Sequence, residues 1–114
     1  MAIRYMDIIK LRELIIRERE LTEETDGFWD GIFNAKVAIL NENLEETMAF
    51  LDTCTEEEFY WVSNAFEDIS EKYKSTEFIE CIKRNMLRFP AIKEDIQTEL
   101  KYALMHVVNA NDLK

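Results

Sequence analysis

Two glycines and one proline are all that punctuate a chain of 114 residues. Hairpins and sheet corners draw on residues with unusual backbone freedom or a fixed φ, so a chain this poor in them cannot turn often. Few turns mean few, long elements, and no segment shows convincing strand alternation. The expected fold is all-α: a single compact bundle of five or six mostly antiparallel helices joined by short loops. Hydrophobic residues make up 47% of the chain, enough to fill a core. No repeat, low-complexity tract or linker interrupts it, so residues 1–114 read as one domain.

The apolar spacing places the helices. The first is expected from about Ile3 to Leu21, with apolar residues most of the way round. Such a helix is sandwiched, or half of its surface meets something else, which leaves a homodimer open. "TEETDG" breaks the pattern, and Asp26 can cap a second helix over Phe28, Trp29, Ile32, Phe33, Val37, Ile39 and Leu40. Asn43 with Glu46 reads as a capping box before "LEETMAFLDTC", and Thr55 with Glu58 as a clearer one. From there one helix is expected through residue 73, its core stripe being Phe59, Val62, Phe66, Ile69 and Tyr73. Ser63 and Ser70 beside the stripe are small enough for close helix approach. Ser75 or Thr76 caps the next helix, buried through Phe78, Ile79, Ile82 and Met86, and Pro90 is expected to end it. A last helix from about Ile92 carries Ile96, Leu100, Ala103, Leu104, Val107 and Val108, with Glu94 and Asp95 in its first turn, where the helix dipole favours them.

The formal net charge is −10, and its distribution says more than its total. Residues 42–80 hold twelve carboxylates against Lys72 and Lys74, while the rest of the chain balances at twelve acidic and twelve basic side chains. Nucleic acid is a poor partner for such a surface, because phosphate binding needs the opposite sign. A basic protein surface suits it, although acidic helices also serve solubility alone. No stretch is apolar enough to span a membrane. The N-terminal "MAIRYMDIIKLRELII" carries charges within its apolar run and no small-residue cleavage site, unlike a signal peptide. Cys54 and Cys81 match no metal spacing and are too few for a disulfide framework, so they read as reduced thiols of a cytoplasmic protein.

Catalytic chemistry finds little to stand on. The single histidine, His106, has no Glu-x-x-His or His-x-x-x-His partner. No glycine-rich phosphate loop or nucleophile elbow occurs. The expectation is a protein that is not an enzyme, with no cofactor and no metal. A binding surface has more support. On the helix opened by Thr55, the side opposite the core stripe carries Tyr60, Asn64, Glu67, Asp68 and Glu71 at spacings of three, four and seven. Glu57 lies one turn before Tyr60, and Trp61 sits at the border between this side and the core. A rigid aromatic ringed by charge is the make-up of an interface anchor. These seven residues are the candidate partner-binding set; for Trp61 the plainer reading is a packed core residue.

"EFYWVSNAFEDISEKYKSTEFIECIKRNMLRFP", with its aromatic-rich start, its Ser-x-Glu-Phe-Ile cap and its closing Phe-Pro, resembles the small helical immunity proteins found beside contact-dependent growth inhibition systems and related bacterial polymorphic toxins. The resemblance covers residues 56–90. It implies a cytoplasmic antitoxin that binds one cognate toxin domain and blocks it, and it transfers no catalytic residue. Many such toxins are nucleases with cationic grooves, and the resemblance favours an RNA-cleaving one of the EndoU type. The competing readings are an acidic helical mimic of nucleic acid that inhibits a DNA-binding protein, and a helical protein-binding adaptor of another kind.

Overall fold

The computed structural model describes residues 6–21 and 26–111. Ile3 and the "TEET" of the first break lie outside them, as do the side chains of Asp26 and Val108. Among the described residues the chain is helical throughout, with no strand. Helix α1 spans Ile8–Arg19, α2 Trp29–Leu40, α3 Leu44–Thr53, α4 Glu56–Val62, α5 Phe66–Tyr73, α6 Thr76–Met86 and α7 Lys93–Asn111. Short 3-10 turns at Asp26–Phe28, Ser63–Ala65 and Pro90–Ile92 lead into α2, α5 and α7. With α4 and α5 counted as one broken helix, the bundle has six helices.

Local chemistry sets most boundaries. Asp7 starts α1 by accepting the Lys10 amide at 2.9 Å, and Asn43 starts α3 through the Glu46 amide at 3.0 Å. Thr55 and Glu58 form the full reciprocal capping box, with both bonds present. Ser75, not Thr76, caps α6. Several boundaries differ from the sequence reading: α1 begins at Ile8 behind its Asp7 cap rather than near Ile3, and α2 begins at Trp29 without a side-chain cap, Phe28 lying in the 3-10 turn before it. Helix α6 stops at Met86, before Pro90 can act on it, and Pro90 instead opens the 3-10 turn into α7, where its missing amide hydrogen costs nothing. The expected continuous helix over residues 56–73 is interrupted at Ser63–Ala65. Ser63 offers the backbone a competing side-chain bond, its hydroxyl donating to the Tyr60 carbonyl at 2.7 Å.

Helix α5 lies along α7, α1 against α2 and α4, and α6 against α3 and α7. The core is aromatic at its centre. Phe59, Phe66 and Phe78 are fully buried, and their rings meet at 5.5 Å (Phe59–Phe66) and 5.7 Å (Phe66–Phe78) between centroids. Val62, Ile69, Ile82 and Ile96 complete the expected core, with Leu100 and Leu104 packed at its margin. Ser63 and Ser70 are buried, as close helix approach requires. Tyr73 is half-buried, and its hydroxyl donates to the Asn41 carbonyl at 2.7 Å beside Lys72, so the end of α5 satisfies the end of α2. At the end of α3, Arg88 donates to the Leu51 and Cys54 carbonyls at 3.0 and 2.9 Å in the same way.

Candidate functional site: an acidic face with an aromatic cleft

The 3-10 turn at Ser63–Ala65 is where the candidate site begins, and a buried ion pair holds it. Lys36 of α2 and Glu18 of α1 each occupy the apolar stripe of their helix, beside Ile32, Ile39 and Leu40 in one and Leu11, Leu14 and Ile15 in the other. Both side chains are out of solvent, at 0% and 2% exposure. The Lys36 ammonium donates to Glu18 Oε1 at 2.5 Å, to the Trp61 carbonyl at 2.6 Å and to Asn64 Oδ1 at 2.7 Å, which uses all three of its protons. Glu18 Oε2 accepts from Trp29 Nε1 at 2.8 Å and from Asn64 Nδ2 at 3.0 Å. Burial pushes the Lys36 ammonium below its ordinary value, against the pull of Glu18 and the more distant charge of Glu99. The helix break and the ion pair thus fit together: Lys36 bonds the Trp61 carbonyl in the last turn of α4 and the side chain of Asn64 in the 3-10 turn that follows.

This geometry redistributes the expected partner-binding set. Asn64 faces inward as a member of the network. Trp61 is half-buried against the core, with its carbonyl on Lys36. Tyr60 stays outside at 40% exposure and meets the Trp61 ring edge to face at 5.3 Å. Glu57 is exposed and paired to Arg19 at 2.7 Å. Glu67, Asp68 and Glu71 share the outer side of α5, Asp68 partly buried. Burial, with the charges of Glu67 and Glu71, pushes the Asp68 carboxyl up. Glu67 binds His106 Nε2 at 3.1 Å, which ties α5 to α7.

Helix α7 adds residues that helical spacing within residues 56–73 could not reveal. A cleft of about 300 Å³ separates Tyr60, Trp61 and Ser63 from Asp95, Thr98 and Glu99. Asp95, Glu99, Tyr102 and His106 recur at steps of three and four, so they share one side of α7. Glu99 is half-buried, and its carboxyl is pushed up by burial and by Glu67, while Lys36 pulls it down. The available signal was modest: Asp95 and Glu99 stand out from the apolar stripe of α7, but only the tertiary fold sets them opposite Tyr60.

A second groove, of about 450 Å³, runs between α3 and α6. Glu45, Asp52, Glu77 and Glu80 line it over Met48 and Ala49. Its one cation, Arg84, is held by Asp52 through two nitrogens at 2.9 and 3.1 Å. Burial pushes the Asp52 carboxyl up, but the bonds from Asn85 and Arg84 and the charges of Arg84 and Arg88 outweigh it and hold the group below its ordinary value. Cys54 and Cys81 are buried free thiols, pushed up to about 12 and about 11, chiefly by burial. Among the described residues no group of three or more His, Cys, Asp or Glu side chains could hold a metal ion, and no helix is long and apolar enough to cross a membrane. No protein-family model matches the chain, and no curated protein or solved structure matches it either.

Proposed function

We propose that this chain is an interaction module that binds a basic protein through the face formed by α4, α5 and the first half of α7, and that the partner is a bacterial toxin domain which it neutralises in the cytoplasm. One observation carries the binding part. Asp95 and Glu99 of α7 share a cleft with the exposed Tyr60, Glu67 of α5 lies within electrostatic reach of Glu99, and Asp68 and Glu71 extend the same acidic side along α5. Together they raise the local potential beyond what either helix supplies and steer a cationic partner. The toxin part rests on the resemblance of residues 56–90 to immunity proteins, with a nuclease, and among nucleases an RNA-cleaving one of the EndoU type, as the partner that best fits an acidic face.

The test is co-expression with the product of the neighbouring toxin gene, read as growth rescue and as co-purification. Replacing Glu67, Asp68 and Glu71 with Lys should abolish rescue and slow association. Rescue that survives all three replacements would sink the reading. The second acidic groove, between α3 and α6, favours a competing function, a mimic of nucleic acid that presents charge over several faces. Such a mimic binds several unrelated basic proteins with a steep salt dependence; an antitoxin binds one.

A further inference from the structure

We infer that the cleft between Tyr60–Trp61 and Asp95–Glu99 is the receptor for a single arginine side chain of the basic partner. This rests on the reading of the acidic face as a protein-binding surface and names the contact on which that surface turns. The chemistry of the two walls is complementary to a guanidinium. One wall is aromatic: Tyr60 is 40% exposed, and its ring is braced edge to face by Trp61. A planar cation stacks on such a ring, and arginine does so better than lysine because its guanidinium is delocalised and weakly hydrated. The other wall carries two carboxylates one helical turn apart, Asp95 and Glu99, suited to a donor with a forked set of N–H groups.

Neither carboxylate has a cation of its own. Among the described residues no lysine or arginine forms an ion pair with Asp95 or Glu99. Lys36, the one cation whose charge reaches Glu99, has already committed its three protons to Glu18, Trp61 and Asn64. The half-buried Glu99 therefore sits near another carboxylate, Glu67, with no cation bonded to it, an arrangement that an incoming guanidinium relieves. In the other acidic groove an arginine of the chain itself, Arg84, is already held by Asp52, and among the described residues no aromatic side chain lines the walls. Asn64, which also lines the cleft, is fixed from beneath by Glu18 and Lys36 and needs no ordering on binding.

The experiment titrates the isotope-labelled protein with hexa-arginine and with hexalysine at low salt and follows amide and indole resonances. Hexa-arginine should bind more tightly than hexalysine and move the Trp61 indole and the Thr98 and Glu99 amides first. Glu99→Gln should weaken hexa-arginine by about tenfold, the worth of one charge-assisted hydrogen bond, and Tyr60→Ala by about threefold. Glu77→Gln, which removes the same unit of charge from the α3–α6 groove, should change the affinity little. Circular dichroism confirms that each variant is folded. Equal losses from Glu99→Gln and Glu77→Gln, or an unmoved Trp61 indole, would overturn the cleft while leaving a diffuse acidic surface able to serve the proposed function. Absence of any binding by either peptide would overturn both.

Discussion

Lys36→Met removes the cation at the centre of the molecule and keeps most of its volume. Its consequences follow from the bonds that are lost. Glu18 Oε1, the Trp61 carbonyl and Asn64 Oδ1 each lose their Lys36 donor. The Glu18 carboxylate stays in place at 2% exposure with only the Trp29 and Asn64 donors, on Oε2. Leaving one charge of a buried pair uncompensated costs about 3–5 kcal/mol, a large share of the roughly 5–15 kcal/mol that holds a domain together. Adding Glu18→Gln removes the stranded charge but preserves an acceptor for Trp29 and Asn64. The double variant should therefore be more stable than Lys36→Met alone, by about 1–3 kcal/mol. Urea unfolding followed by circular dichroism measures both, and an unchanged slope with denaturant keeps the comparison valid. The reasoning fails if Lys36→Met costs less than about 1 kcal/mol, or if its cost is the same with and without Glu18→Gln.

Other outcomes can be checked with the same tools. Phe66→Ala empties the centre of the aromatic core and should cost about 3–5 kcal/mol in urea unfolding. Lys74 ends α5 with φ of 48°, in the left-handed region, so Lys74→Gly should stabilise the chain by about 0.5–1 kcal/mol, the relieved strain exceeding the entropy that glycine adds to the unfolded state. The thiols of Cys54 and Cys81 are pushed up to about 12 and about 11 in the folded chain, so the unfolded chain gives up those protons first. Their stabilising contribution is full below about pH 9 and is lost as pH rises towards those values, and a thermal-melt series on Cys54→Ala/Cys81→Ala should show a flatter alkaline decline. Tyr60→Ala should leave the melting temperature nearly unchanged while weakening binding of the proposed basic partner by about 1–2 kcal/mol, as measured by calorimetric titration.

The legible part of this fold is the part written in local patterns. A capping box is a contact between residues three apart, and Thr55 with Glu58 announced α4 without help from the rest of the chain. The stripe Phe59, Val62, Phe66, Ile69 survived an interruption of the helix that carries it, because a single 3-10 turn shifts the phase only slightly and burial pulls the apolar side back into register. The interruption itself was not legible. Ser63 and Asn64 weaken a helix wherever they stand, and at this break the Trp61 carbonyl and the Asn64 side chain meet a cation from α2 that lies far off in sequence. A signal for that cation was nevertheless present. Lys36 follows Ile32 by four residues and precedes Ile39 and Leu40 by three and four, and Glu18 follows Leu11, Leu14 and Ile15 at seven, four and three. One charge of each sign on an apolar stripe is costly unless the two meet, so the pair implied its own contact.

That contact bears on how recognition is tied to stability here. Sequence spacing alone suggests a helix with two independent sides, a core side and a partner side, so that the second could change without disturbing the first. The structure divides them differently. Tyr60, Glu67 and Glu71 are exposed, and substitution there leaves the core untouched. Asn64 lies between them in sequence but is bonded to both members of the buried pair, so Asn64→Asp should not behave as a surface change. It puts a second carboxylate against Glu18 and removes the amide that donates to it, leaving one ammonium to serve two buried anions. Thermal unfolding should show a loss of about 2–4 kcal/mol for Asn64→Asp, against less than about 0.5 kcal/mol for Glu71→Gln seven residues on. Equal, small effects at the two positions would mean that Asn64 belongs to the outer face after all, and that the partner side is continuous from Tyr60 to Glu71.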